Sequence, residues 1–106
     1  MKYLIALFLA LVTLSSFSQS NKKLVQLSGV VVSGDSLSPV PFTSVLVKGT
    51  SRGTIADYFG FFSLVTGISD TIVFSSVGYE KSEFVVPDTL SHSRYSVIQL
   101  LKKDTI

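Results

Sequence analysis

Between Gly29 and Leu64 the chain reads GVVVSGDSLSPVPFTSVLVKGTSRGTIADYFGFFSL, short β-branched runs broken by dense turn chemistry. Val30-Val31-Val32 forms a strand core, and Ser33-Gly34-Asp35-Ser36 followed by Pro39 forms a loop. Phe42 to Lys48 reads as a second strand and Gly49-Thr50-Ser51-Arg52-Gly53 as a turn. Asp57-Tyr58-Phe59-Gly60 then reverses the chain into Phe61 to Val65. Beyond residue 18 no window sustains an apolar stripe at helical spacing, whereas period-2 alternation recurs. These constraints leave a small antiparallel sandwich as the expected fold.

The alternation assigns faces. Leu27, Gly29 and Val31 share one side of the first strand. In the second, Ser44 and Lys48 mark the wet side with Phe42 and Leu46, so Thr43, Val45 and Val47 point inward. Phe62 and Leu64 face the core from the next strand while Phe61 and Ser63 face away. Asp70 to Ser76 is a further strand that buries Ile72 and Phe74, and Val77-Gly78-Tyr79 is a bend. Glu80 to Val86 is a strand ended by Pro87, which has no N–H to give a ladder. Leu90 to Arg94 is a loop, and Tyr95 to Leu101 is the closing strand. About seven strands result, enough for two sheets.

The turns have physical causes. Asp57 is placed to accept hydrogen bonds from backbone N–H groups two residues on, and Gly60 can take a positive φ. Gly49 and Gly53 are expected to serve the preceding hairpin in the same way, and Gly78 to permit a bulge or close backbone approach.

Residues 1–18 are an address. Lys2 supplies a positive start, Tyr3 to Leu14 an apolar core, and Ser16 and Ser18 the small residues a signal peptidase reads, leaving Gln19 as the new N-terminus. This run of about 12 apolar residues falls short of the about 20 that a span needs, so a helical signal peptide is expected, with an uncleaved membrane anchor as the alternative, and no membrane span in the mature chain. Residues 19–24 read as a short linker, 25–101 as the sandwich and 102–106 as a tail. With no cysteine in a chain marked for export, packing alone must hold the fold. The net charge of +2 includes Lys2, and the basic pairs Lys22-Lys23 and Lys102-Lys103 lie near the ends as solvated tails. Clustered cations on one face are missing, so nucleic acid is not an expected partner.

Catalysis fails on inventory. His92, the one histidine, sits in a serine-rich loop, and no Gly-x-Ser-x-Gly elbow accompanies it. One histidine without cysteine does not make a zinc site, and the Asp35 loop lacks the alternating Asp/Asn run of a calcium loop. No spacing pairs Asp35, Asp57, Asp70, Glu80, Glu83 and Asp88 for glycoside chemistry. No enzyme, cofactor or metal is expected. What remains is surface: Tyr58, Phe59 and Phe61 cluster in one turn and could stack on sugars, anchor a protein or peptide, or merely cover the sandwich end. An open sheet edge is a second route to a partner, but the sequence does not say which edge is open.

Leu27-Ser28-Gly29-x-Val31, Pro39-Val40-Pro41, Val45-Leu46-Val47-Lys48-Gly49-Thr50, Gly53-Thr54-x-x-Asp57-x-x-Gly60-x-Phe62-x-Leu64 and Val77-Gly78-Tyr79, in that order, resemble the carboxypeptidase regulatory-like domain. The match runs over about residues 25–101. The resemblance implies an all-β, seven-stranded Greek-key sandwich of the prealbumin (transthyretin) kind, with no peptidase site of its own. Similar domains stand at the N-terminus of TonB-dependent outer-membrane receptors or in exported proteins. It therefore implies a non-catalytic interaction module at the periplasm or outer membrane, docking an envelope protein or receptor. A carbohydrate- or peptide-binding module using the aromatic patch is the alternative. No barrel or enzyme domain follows within these residues, so a short paralogue and a truncated product both stay open.

Overall fold

A computed structural model describes Tyr3, residues 23–89 and residues 92–104. The remainder of the expected leader, with Ser18 and Gln19 at its cleavage point, lies outside the described residues, as do Leu90 and Ser91 of the expected loop. From residue 23 onward the described residues form seven strands and no helix: β1 (Leu24–Ser33), β2 (Ser44–Val47), β3 (Gly53–Ile55), β4 (Phe61–Gly67), β5 (Thr71–Ser75), β6 (Ser82–Val85) and β7 (Arg94–Leu101). They make two sheets, β4-β1-β7 and β3-β2-β5-β6.

The core lies between the sheets and is filled by the residues that alternation turns inward. Val25, Leu27 and Val31 of β1, Val45 and Val47 of β2, Phe62 of β4 and Ile72 and Phe74 of β5 are all buried. Phe62 and Phe74 meet edge to face across the layers with ring centroids 5.3 Å apart. At the other side Phe84 of β6 stacks on Tyr95 of β7 at 5.9 Å. Each fully buried large side chain of this kind contributes roughly 1.5–3 kcal/mol.

Most pairings are antiparallel, but β7 lies parallel to β1, with Gly29 opposite Val97. Gly29 makes this neighbour possible. A Cβ there would lie 1.8 Å from the Val97 carbonyl oxygen, so only glycine lets the strands approach.

Several boundaries differ from the sequence reading. The second strand begins at Ser44 because Phe42 has φ +58°, outside the β region. Gly53 does not close the turn with a positive φ. It opens β3 opposite Leu46, where a Cβ would lie 2.6 Å from the Val45 carbonyl oxygen. Gly49, at φ +80°, carries the turn alone. The penultimate strand contracts to Ser82–Val85, because residues 78–80 instead pair with the C-terminal segment. Within the expected tail, residues 102–104 are held by backbone pairing. Tyr79 bridges Lys103, Glu80 N–H donates to the Lys102 carbonyl, and Asp104 N–H donates to the Gly78 carbonyl. At the other end the strand starts at Leu24, one residue inside the expected linker.

Alternation also fails locally, for a visible reason. Val31, Val32 and Ser33 are buried in succession because residues 38–40 fold back beside them. Ser33 N–H donates to the Ser38 carbonyl, Val40 N–H to the Val31 carbonyl, and Val32 bridges Pro39. This segment takes the place beside β1 that β4 leaves at Val30.

Candidate functional site

The Asp57 turn is built by its own backbone. Asp57 Oδ1 accepts from Phe59 N–H at 2.8 Å and from Phe61 N–H at 3.0 Å. Gly60 N–H donates to the Asp57 carbonyl, and the Gly60 carbonyl accepts from Val31 N–H, which pins the turn to β1. Gly60 has φ +80°, and a Cβ on it would sit 2.6 Å from the Val31 carbonyl oxygen. The turn therefore cannot slide, and it holds Tyr58 and Phe59 out in solvent.

The structure divides the expected aromatic trio. Tyr58 and Phe59 meet edge to face at 5.4 Å, and Phe42 joins them with its ring 6.3 Å from that of Tyr58. Phe42 is 64% exposed although its φ is left-handed, a conformation that costs a bulky residue about 1–2 kcal/mol. Phe42 N–H donates to the Asp57 carbonyl at 3.2 Å, so the two loops are joined by backbone. Pro39 and Pro41 line a hollow of about 180 Å³ with Tyr58 and Phe59. A second hollow of about 570 Å³ lies on the other side of Pro41 and Phe42, bordered by Ser44, Ser75, Tyr79 and Lys81. Phe42 was absent from the sequence-derived patch because strand periodicity accounted for it. The signal available was its position directly after Pro41.

Phe61 belongs to a different surface. It stands on the outer face of the three-stranded sheet, paired with Val30, which is in turn opposite Ile98 of β7. These three residues line a groove of about 460 Å³. Phe61 is 58% and Ile98 69% exposed, and Val65 and Leu100 extend the same apolar face.

Several polar side chains serve the structure. Asp70 Oδ2 accepts from Gly67 N–H at 2.7 Å and lies 3.8 Å from Arg52. Lys48 pairs with Glu83 at 3.2 Å, and Lys103 with Asp35 at 3.4 Å. The Ser33 hydroxyl donates to Asp35 Oδ1, and this bond, with Lys103 beside it, holds the Asp35 carboxyl below its ordinary value. Gly78 has φ +85° in its turn. His92 is exposed, and no three His, Cys, Asp or Glu groups converge as metal ligands among the described residues. Among these residues no helix is long and apolar enough to cross a membrane.

Two packed β-sheets with an exposed aromatic corner and an apolar outer face define a small β-sandwich module. The chain belongs to the CarboxypepD_reg-like domain family, whose model matches residues 27–106. It is similar to a TonB-dependent receptor of Formosa agariphila, 34% identical over 79 residues that cover 72% of this chain and 7% of the receptor. It is also similar to the TonB-dependent receptor SusC of Bacteroides thetaiotaomicron, 46% identical over 48 residues, 45% of this chain and 5% of the receptor. The chain thus spans less than a tenth of the length of these relatives. A chain of a type II cohesin–X-dockerin complex from Acetivibrio cellulolyticus matches with a TM-score of 0.57 at 15% identity, covering 73% of this chain and 56% of that one. At that identity the likeness shows the fold alone.

Proposed function

We propose that this chain is an exported, non-catalytic docking module that works at the periplasm or outer membrane by holding an envelope protein or receptor. The observation that carries the reading is the apolar row Phe61, Val30 and Ile98, which crosses all three strands of one sheet, with Phe61 and Ile98 exposed and Val30 half-buried between them. Contiguous exposed apolar surface of this kind marks interaction sites. The TonB-dependent receptors among the relatives supply the cellular setting, and the leader pattern at residues 1–18 supplies the export. The non-catalytic part is supported by the carboxylates, since Asp35, Asp57, Asp70 and Glu83 each serve a turn or an ion pair. The experiment is cross-linking of the tagged chain in intact cells, comparing the native chain with Phe61→Asp. One envelope protein is expected, with recovery reduced several-fold by the variant at unchanged melting temperature. Equal recovery would remove this face from the reading.

A second reading, a glycan- or peptide-binding module, is favoured by one specific observation. Phe42 is kept exposed in a strained conformation beside Tyr58 and Phe59, and such strain concentrates at working sites. Affinity electrophoresis of native and Tyr58→Ala protein against a panel of polysaccharides tests it. Retardation that Tyr58→Ala abolishes supports the reading, and identical mobility of both proteins throughout the panel rejects it.

A further inference from the structure

Two sheets present four edges, and three of them are blunted. β3 is three residues long. On β4 the outward backbone groups at both ends are taken by aspartates. Asp57 N–H donates to the Phe61 carbonyl and Asp57 Oδ1 accepts from Phe61 N–H. Asp70 N–H donates to the Gly67 carbonyl and Asp70 Oδ2 accepts from Gly67 N–H. β6 has four residues, carries Glu83 in an ion pair with Lys48, and runs toward Pro87. Short strands, charges and prolines are the usual guards against unwanted strand pairing.

β7 has none of these guards. It is eight residues long, contains no proline and no acidic residue, and its one charge, Arg94, stands at its start. Its inner side is consumed by β1: Gln26 N–H donates to the Ser93 carbonyl and Gly34 N–H to the Leu101 carbonyl. In that register the odd-numbered residues turn their backbone groups toward β1, and strand alternation turns those of Ser96, Ile98 and Leu100 outward. Outside the β1 ladder none of these three makes a backbone hydrogen bond among the described residues. The same three expose their side chains on the outer face of the sheet.

We propose that the edge of β7 accepts a strand from a protein partner, an extended segment with alternating apolar residues and acidic residues at its ends. This rests on the docking reading and specifies how docking occurs. An added fourth strand would extend the row Phe61, Val30 and Ile98, so backbone pairing and apolar burial are gained together. Charge selects the occupant. Arg94 stands at the start of the edge and Lys102 just past its end, where the Lys102 carbonyl already accepts from Glu80 N–H, and neither side chain has an ion-pair partner among the described residues. A second copy paired antiparallel with Ile98 facing Ile98 would set Arg94 against Lys102, which repel. Acidic ends on a foreign strand meet the same two cations favourably.

The probes are short blocked peptides alternating valine with threonine, one flanked by glutamates and one by lysines. Amide exchange of the full chain is read by NMR. The glutamate-flanked peptide is expected to slow exchange at Ser96, Ile98 and Leu100, to lose affinity with added salt, and to bind at least about tenfold more tightly than the lysine-flanked one. Ile98→Pro removes one outward N–H and no bond to β1, so binding should fall about tenfold while the fold persists. Ile98→Thr, which keeps that N–H, should bind nearly as the native chain does. Protection elsewhere, or none, overturns the proposal. So does equal binding by Ile98→Pro at an unchanged melting temperature. Edge amides already protected before peptide is added would assign the edge to another segment of this chain, and a concentration-dependent dimer lost in Ile98→Pro would assign it to a second copy. If the cross-linked envelope protein still depends on Phe61 in those cases, strand addition fails and the docking reading stands.

Discussion

At the scale of single residues, Gly29 and Phe42 carry opposite conformational demands. Gly29 is an ordinary strand position by periodicity, yet a Cβ there would collide with the Val97 carbonyl oxygen. Gly29→Ala is expected to cost about 3 kcal/mol or more, because β7 must move off β1, and a denaturant titration against the native chain measures it. Phe42 presents the opposite case, a bulky side chain where the backbone favours Asn or Gly. Phe42→Asn should leave stability within about 0.5 kcal/mol of native or raise it, despite the loss of a large aromatic, since relief of the left-handed strain offsets the lost ring contact. A melting temperature well below native would show that the ring packs as a structural element. Gly60 was legible in the sequence because a turn glycine after an aspartate has a local cause. Gly29 was not, because the obstacle comes from a strand about seventy residues further along the chain.

At the scale of elements, the Asp57 turn is the piece whose mechanism was readable from spacing, and its hydrogen bonds lie where an aspartate at that position can reach. Asp57→Ala removes two acceptor contacts at the start of β4 and is expected to cost on the order of 1–3 kcal/mol, measured as a shift in the urea midpoint at constant slope. A change in slope would signal a looser native or denatured state instead. β3 escaped the sequence reading because three residues cannot display a period, and Gly53 looked like turn chemistry. The inward sets of β2, β4 and β5 were legible because one wet and one dry face impose alternation on every residue. The expected aromatic trio falls on two surfaces for the same reason that alternation works. Phe61 lies in a strand and obeys the sheet, while Tyr58 and Phe59 lie in a turn and obey the loop.

At the scale of the whole molecule, the C-terminal segment ties the two sheets together through Lys103, which pairs with Asp35 beyond β1 while its backbone bridges Tyr79. The Asp35 carboxyl has its pKa lowered by the Ser33 hydroxyl and by Lys103. A group depressed in the folded state stabilises above its unfolded value, and the contribution is lost as pH falls through the folded value. The native chain should therefore melt above Asp35→Asn near neutrality. The gap should close on acidification below the ordinary carboxylate range, and a pH series of melting curves would show it. A gap that persists at the acid end would assign the effect to shape and not to charge. The sequence alone determined that this chain builds strands, which residues of β2, β4 and β5 turn inward and where the Asp57 turn falls, since alternation and turn chemistry act between near neighbours. Only the tertiary structure decided that β7 lies parallel to β1, that Phe42 joins Tyr58 while Phe61 leaves it, and that among the described residues no strand pairs with the outer edge of β7. Those outcomes depend on which distant strand arrives beside which, and no local propensity encodes the neighbour.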